Sequence, residues 1–116
     1  MSSVREDQRF SRCHRIRRPG DFRLNRRQGR RASSTHFVVS LSPGPADVPR
    51  LGLVVSRKVG KAVRRNRLKR RIREVFRTNL CAFEPGTDVV VIARPGAAEL
   101  DTSRIREEIL GCLPRR

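Results

Sequence analysis

The chain has 116 residues, with 28 Lys or Arg against 11 Asp or Glu and a formal net charge of +17. That length suits one domain whose core needs no metal or disulfide staple, and no segment approaches the roughly 20 consecutive apolar residues that span a bilayer. The charge is also uneven, with +8 over residues 1–31, 0 over 32–56, +10 over 57–77 and −1 over 78–116. Two cationic regions beside neutral, apolar ones read as a binding surface for a polyanion.

Residues 1–12 and 114–116 lack apolar periodicity and are expected to be flexible. The first predicted helix begins near Pro19, takes Phe22 and Leu24 as apolar content, and ends at Gly29, a natural residue for a left-handed cap. His36-Phe37-Val38-Val39-Ser40-Leu41-Ser42 then alternates as a strand does, with Phe37, Val39 and Leu41 on the core side and His36, Val38 and Ser40 on the other. Pro43-Gly44-Pro45 stops it. Leu51-Gly52-Leu53-Val54-Val55 follows, apolar on both sides and therefore expected at the centre of a sheet.

The next segment, Arg57 to Arg77, carries 11 basic residues and a single acid, Glu74. It nevertheless keeps a helical stripe, because Leu68, Ile72, Val75 and Phe76 recur at i, i+4, i+7 and i+8. At roughly 100° per residue those four share one side, while Asn66, Arg70, Arg73 and Arg77 gather on the far side, flanked by Arg67 and Lys69. Arg64 and Arg65 project from the first turn, where the positive helix end also attracts phosphate. A solvated helix face usually mixes acids with bases for i, i+4 pairing, so this ridge points to a nucleic acid. Asn66 orders the surrounding arginines or reads a ligand oxygen, or else it caps the helix start.

Glu84-Pro85-Gly86 is expected to end that helix, and Val89-Val90-Val91-Ile92-Ala93 makes a third strand closed by Pro95-Gly96. Strand, helix and strand imply a parallel crossover. Asp101 or Thr102 caps a last helix with Ile105, Ile109, Leu110 and Leu113 as its apolar stripe, and Leu100 staples its start. The order is αββαβα, an α+β sandwich in one unit.

Arg outnumbers Lys 25 to 3, which favours forked contacts to phosphate oxygens. With no Trp or Tyr and five Phe, stacking capacity is limited. Cys13, Cys81 and Cys112 form no C-x-x-C pair, so neither a disulfide framework nor a zinc site is indicated. A reducing, cytoplasmic setting is the simpler expectation. Cys81 and Cys112 read as small core hydrophobes, whereas Cys13 lies among arginines that lower a thiol pKa.

Arg57-Lys58-Val59-Gly60-Lys61-Ala62-Val63-Arg64-Arg65-Asn66-Arg67-Leu68-Lys69-Arg70 resembles the signature of the bacterial ribonuclease P protein component. The likeness extends from Asp21-Phe22 and Gly29 through the Phe37 strand to Asp88 and Pro95. It implies a single RNA-binding domain, residues 1–116, with a ribosomal-protein-like fold and a left-handed βαβ crossover, against the usual right-handed rule. It implies further that a catalytic RNA subunit cleaves precursor tRNA to release the 5′ leader, that Mg2+ is held chiefly by that RNA, and that this chain carries no catalytic residue. Its partners would be the catalytic RNA and precursor tRNA, with no membrane and no protein oligomer required. Arg57, Lys58, Lys61, Arg64, Arg65, Asn66, Arg67, Lys69, Arg70 and Arg73 would face the RNA subunit. Phe22, His36, Val38 and Ser40 would line a leader cleft between the sheet and the first helix. The chain departs from the family at Asn25, Arg26 and Ser40, where apolar or aromatic residues are common, so leader stacking should be weaker here.

Three rivals use the same charge differently. A ribosomal or RNA-chaperone protein would need the basic helix without cleavage, and a DNA-compacting protein would bind duplexes without regard to shape. A stand-alone nuclease would need His14 and His36 as acid and base. The acids lie mostly in turns and the last helix, away from the signature motif, and make no two-metal cluster.

Overall fold

The computed structural model describes residues 15, 16, 25, 29–45 and 47–114. Among these, four strands form one sheet, β1 (Arg30–Ser33), β2 (Phe37–Pro43), β3 (Arg50–Val54) and β4 (Thr87–Ala93), together with helices α1 (Ala62–Thr78) and α2 (Thr102–Gly111). The helix expected from Pro19, with Phe22, lies outside the described residues except for Asn25, which is helical, and Gly29. No helix among the described residues is long and apolar enough to cross a membrane.

Strand order is β1-β2-β4-β3. The β1–β2 and β2–β4 pairs are antiparallel, while β3 and β4 are parallel and joined through α1. Sequence alone misses β1, because Arg-Arg-Ala-Ser has no apolar alternation. Its pairing comes from register with β2, Arg31 opposite Ser40 and Ser33 opposite Val38.

The expectation that Leu51–Val55 is central is wrong. β3 is at the edge of the four strands, and β4 is interior. The apolar content of β3 has another cause. Its outer edge is partly covered by the N-terminal segment, where Arg15 bridges to Leu51 and the Ile16 amide donates to the Leu51 carbonyl at 2.9 Å.

One face of the sheet carries Phe37, Val39, Val89, Val91 and Leu51, and these pack against Leu68, Ile72, Val75 and Phe76 of α1 and Ile105 and Ile109 of α2. Each of the four α1 residues is at most 1% exposed, so each contributes about 1.5–3 kcal/mol through burial. α1 ends earlier than the Pro-Gly signal indicated. Asn79 caps it, with its side chain donating to the Val75 carbonyl at 2.8 Å, and a 3-10 turn over Leu80–Ala82 follows. α2 starts as expected, with the Asp101 carboxylate accepting from the Arg104 amide at 2.8 Å. Cys112 is half-buried against the core, and burial raises its thiol pKa. Cys81 is exposed, contrary to the core role expected for it, because it falls in the turn after α1.

Candidate nucleic-acid interface

Two surfaces carry most of the expected site residues among those described, the basic face of α1 and the sheet face opposite the helices. The approach to α1 is a 3-10 turn over Arg57–Val59, with Val59 buried as its anchor and Arg57 and Lys58 exposed. Gly60 then adopts φ 154° and ψ −172°, a region open to glycine and strained for any other residue. This sharp change of direction lets the exposed Lys61 sit at the helix start while Leu68 still reaches the core.

Asn66, Arg67 and Arg70 are exposed, and among the described residues none of them meets an acid. The helix-start role for Asn66 is excluded, because Lys61 occupies that position and Asn66 lies inside the helix. Lys69 and Arg73 are half-buried on an adjoining flank. With Arg15, Ile16, Leu51, Gly52 and Leu53 they line a groove of about 150 Å³ beside β3. Burial, and next the Arg15 charge, lower the pKa of Arg73; concentrating cations in this way favours an anion between them.

Arg64 and Arg65 separate from this ridge. Counting back at roughly 100° per residue returns both to the side of the apolar stripe, one turn before it reaches the core. Arg64 accordingly lies 3.6 Å from Glu99, and the Nε of half-buried Arg65 has no hydrogen-bond partner among the described residues. Two other arginines of the helix are committed within the protein. Arg71 donates to the Leu100 carbonyl at 2.6 Å, and Arg77 pairs with Glu74, which raises its pKa.

The outer sheet face consists of three registered rows. At one end Ser42, Asp88 and Arg50 align, and Arg50 grips the Asp88 carboxylate through Nε at 2.8 Å and Nη2 at 2.7 Å. The middle row runs from Arg31 through Ser40 and Val90 to Gly52, and the last from Ser33 through Val38 and Ile92 to Val54. Asn25 closes the first two. Its amide nitrogen donates to the Ser42 hydroxyl at 2.9 Å, the Asp88 carbonyl at 3.0 Å and the Ser40 carbonyl at 3.3 Å, and the residue is fully buried.

Two of the expected leader residues are thereby reassigned. Ser40 is 1% exposed, with its hydroxyl donating to the Asn25 carbonyl at 3.4 Å, so it is packed under Asn25 and not presented to a ligand. His36 does not share the Val38 face. It precedes β2, and its ring Nδ1 and backbone amide both reach Glu108 of α2, each at 2.8 Å. The same carboxylate accepts from Ser34 Oγ at 2.8 Å. Burial alone would raise the Glu108 pKa, but these donors hold it down to about 2. Val38 stays half-buried on the outer face; Phe22, and the rival residue His14, fall outside the described residues.

Gly29 serves a purpose different from the left-handed cap expected of it. Its φ is not positive, but a Cβ there would lie 2.2 Å from Ser40 Oγ and 2.3 Å from the Asn25 carbonyl. The residue is small because two segments meet over it. Arg31, which the sequence did not single out, is exposed on the outer face beside Ser40. A separate cavity of about 550 Å³, lined by Leu41, Phe83, Val89 and Leu113 among others, contains none of the α1 ridge residues.

Comparison with known proteins supplies the remaining context. The Ribonuclease P family model matches residues 10–115. A ribonuclease P protein component of Thermotoga maritima is 42% identical over 110 residues, covering 91% of this chain and 94% of that protein. The solved structure of the RNase P protein from Thermotoga maritima in complex with 1-(4-fluorophenyl)-2-thiourea is similar, with a TM-score of 0.79 over 88% of this chain and 99% of that one, at 42% identity. The RNase P protein of Staphylococcus aureus, 34% identical, aligns over 85% of this chain and 91% of its own with a TM-score of 0.77.

Proposed function

The chain belongs to the bacterial ribonuclease P protein family, a subunit of the tRNA-processing ribonucleoprotein, and from that premise we propose that α1 docks on the catalytic RNA while the outer sheet face receives the 5′ leader. The observation that carries this reading is the exposed set of Asn66, Arg67 and Arg70, which no acid among the described residues neutralises, on a helix whose opposite stripe is fully buried.

The physical role of these residues is electrostatic. RNA backbones crowd negative charge where a catalytic RNA and its substrate meet, and forked guanidinium groups on a fixed helix lower the cost of that approach. Lys69 and Arg73 add a second cationic patch beside β3, with Arg15 close by. Arg57, Lys58 and Lys61 extend the charge ahead of the helix, and Arg64 and Arg65 extend it toward the turn at Glu99. Val38, with Phe22, supplies the leader contact.

RNA-based catalysis in this family generally needs Mg2+. Among the described residues no group of three or more His, Cys, Asp and Glu is arranged to hold a metal ion, so this donor set does not fit a protein-borne site. In our reading the cation belongs to the RNA, and the protein lowers the magnesium demand by neutralising phosphates. The reading of a ribosomal or chaperone protein without a cleavage role is not favoured by the family assignment.

Reconstitution tests the proposal. Purified protein added to its cognate catalytic RNA should stimulate precursor tRNA cleavage at low magnesium, and protein alone should cleave nothing. Absence of stimulation, or cleavage by the isolated chain, would defeat it.

A further inference from the structure

We propose that Val63, at the head of the α1 crest, packs on the face of an unpaired nucleobase of the catalytic RNA and so adds a contact that does not depend on charge. The inference rests on the docking of α1 proposed above and goes beyond it, because an electrostatic grip leaves Val63 without a role.

Val63 is 69% exposed and is the one large apolar side chain left in that state among the described residues. It belongs neither to the core nor to the partly buried residues around it. A single exposed apolar residue is ordinary on a protein surface, but the position of this one is not. Asn66, Arg67 and Arg70 follow it at i+3, i+4 and i+7 within α1, which at roughly 100° per residue keeps all three within about 60° of it around the helix. Val63 therefore stands at the head of the exposed set that meets no acid among the described residues.

Local helix chemistry does not account for a valine there. Lys61 caps α1, so Val63 is the second helical residue. The staple that places apolar residues at some helix starts joins the residue before the cap to the fourth of the helix, and here those are Gly60 and Arg65. A β-branched side chain also suits a helix less well than alanine. The residue thus weakens the helix start and leaves apolar surface in water, and contact with a partner offsets both.

The surroundings restrict that partner. Lys61, Arg64, Arg67 and Arg70 are all exposed around Val63, so the group that meets it is attached to an anion. An RNA duplex presents phosphates, 2′-hydroxyls and base edges, while its base faces are stacked on one another. Unpaired nucleotides are where RNA offers a broad apolar face. A valine among cations fits such a nucleotide, with the base against its methyl groups and the backbone phosphate toward Arg67, one helical turn or about 5 Å along the axis.

The test measures Kd of the full chain for its cognate catalytic RNA alone, over a series of salt concentrations. Val63→Ala should weaken binding about fivefold and leave the slope of log affinity against log salt unchanged, whereas Arg67→Ala should weaken binding and reduce that slope by about 1. Val63→Thr keeps the branched shape and gains a hydroxyl, so it should weaken binding about fivefold on a base face and would tighten it on a phosphate. Thermal unfolding separates contact from folding, because alanine favours the helix and the Val63→Ala protein should melt no lower than wild type. An unchanged Kd for Val63→Ala, a lower melting temperature in that variant, or tighter binding by Val63→Thr would overturn the proposal. Wild-type affinity for the catalytic RNA combined with weaker binding of precursor tRNA by the assembled enzyme would place the contact on the substrate and overturn it as well. Failure of the underlying reading has a separate signature, since Arg67→Ala and Arg70→Ala would then leave binding of the catalytic RNA unchanged.

Discussion

His36 presents both its backbone amide and its ring Nδ1 to the Glu108 carboxylate, at 2.8 Å each. With Ser34 as a further donor, one buried acid of α2 fixes the connection between β1 and β2. Its charged form is favoured in the folded state, which makes stability depend on pH in a defined direction.

The Glu108 pKa falls from an ordinary 4.5 to about 2 on folding. The stabilisation is complete above 4.5, the unfolded value, and is lost as pH drops toward 2. Glu108→Gln should cost about 1–3 kcal/mol at pH 7 and flatten the decline in stability between those two pH values. Urea unfolding of both proteins at pH 7 and pH 3 measures this. An equally steep acid decline in the variant would contradict the assignment.

Asn25 points its amide nitrogen at two carbonyl oxygens and a hydroxyl, in a site with no exposure. Asn25→Ala should destabilise by about 1–3 kcal/mol, the cost of leaving buried acceptors unpaired. Asn25→Asp should cost more, since a buried carboxylate would face the Ser40 and Asp88 carbonyls. Chemical denaturation provides the comparison, and a milder effect for Asp than for Ala would mean that the donors are not what matters there.

Arg67 and Arg70 are exposed on α1 without an acid partner among the described residues, whereas Arg104 lies near Glu107 and Glu108, and Arg106 donates to the Asn79 side chain at 3.2 Å. Arg67→Ala or Arg70→Ala should weaken binding of the catalytic RNA by about tenfold. Arg104→Ala and Arg106→Ala should change it by less than about twofold. Filter binding at fixed salt resolves the difference, and equal losses would show that the ridge has no special role.

Binding through the ridge should respond to ionic strength. If about six phosphates are neutralised, log affinity should fall against log salt with a slope of about −4 to −5. Each ridge arginine removed should reduce the magnitude of that slope by about 1. A slope near zero would rule out an electrostatic grip.

Local pattern made part of this molecule legible. Leu68, Ile72, Val75 and Phe76 repeat with helical spacing and are all buried, and Asp101 caps α2 as its chemistry allows. The alternation of β2 puts Phe37 and Val39 in the core and leaves Val38 on the outer face. What sequence could not supply are relationships across long separations. β1 has no pattern of its own and exists through β2, and β3 looks central because the segment at Arg15 covers its edge. His36 turns away from the Val38 face because its partner, Glu108, is 72 positions further along the chain. Ser40 is buried because Asn25 reaches past it to Asp88, 63 positions away from Asn25. The ridge was readable since its residues share one helix, but its division into an exposed crest, a groove beside β3 and a pair near Glu99 required the neighbouring elements.

The complete burial of the α1 stripe limits how the helix can respond to a ligand. Rolling it by a quarter turn would lift Leu68 and Ile72 out of contact with the sheet and drive charged side chains into their places. The guanidinium groups can swivel on their stems, but the axis that carries them is stationary. If α1 docks on the catalytic RNA as proposed, conformational adaptation on association falls to that RNA, which must mould its backbone to a template already set before they meet.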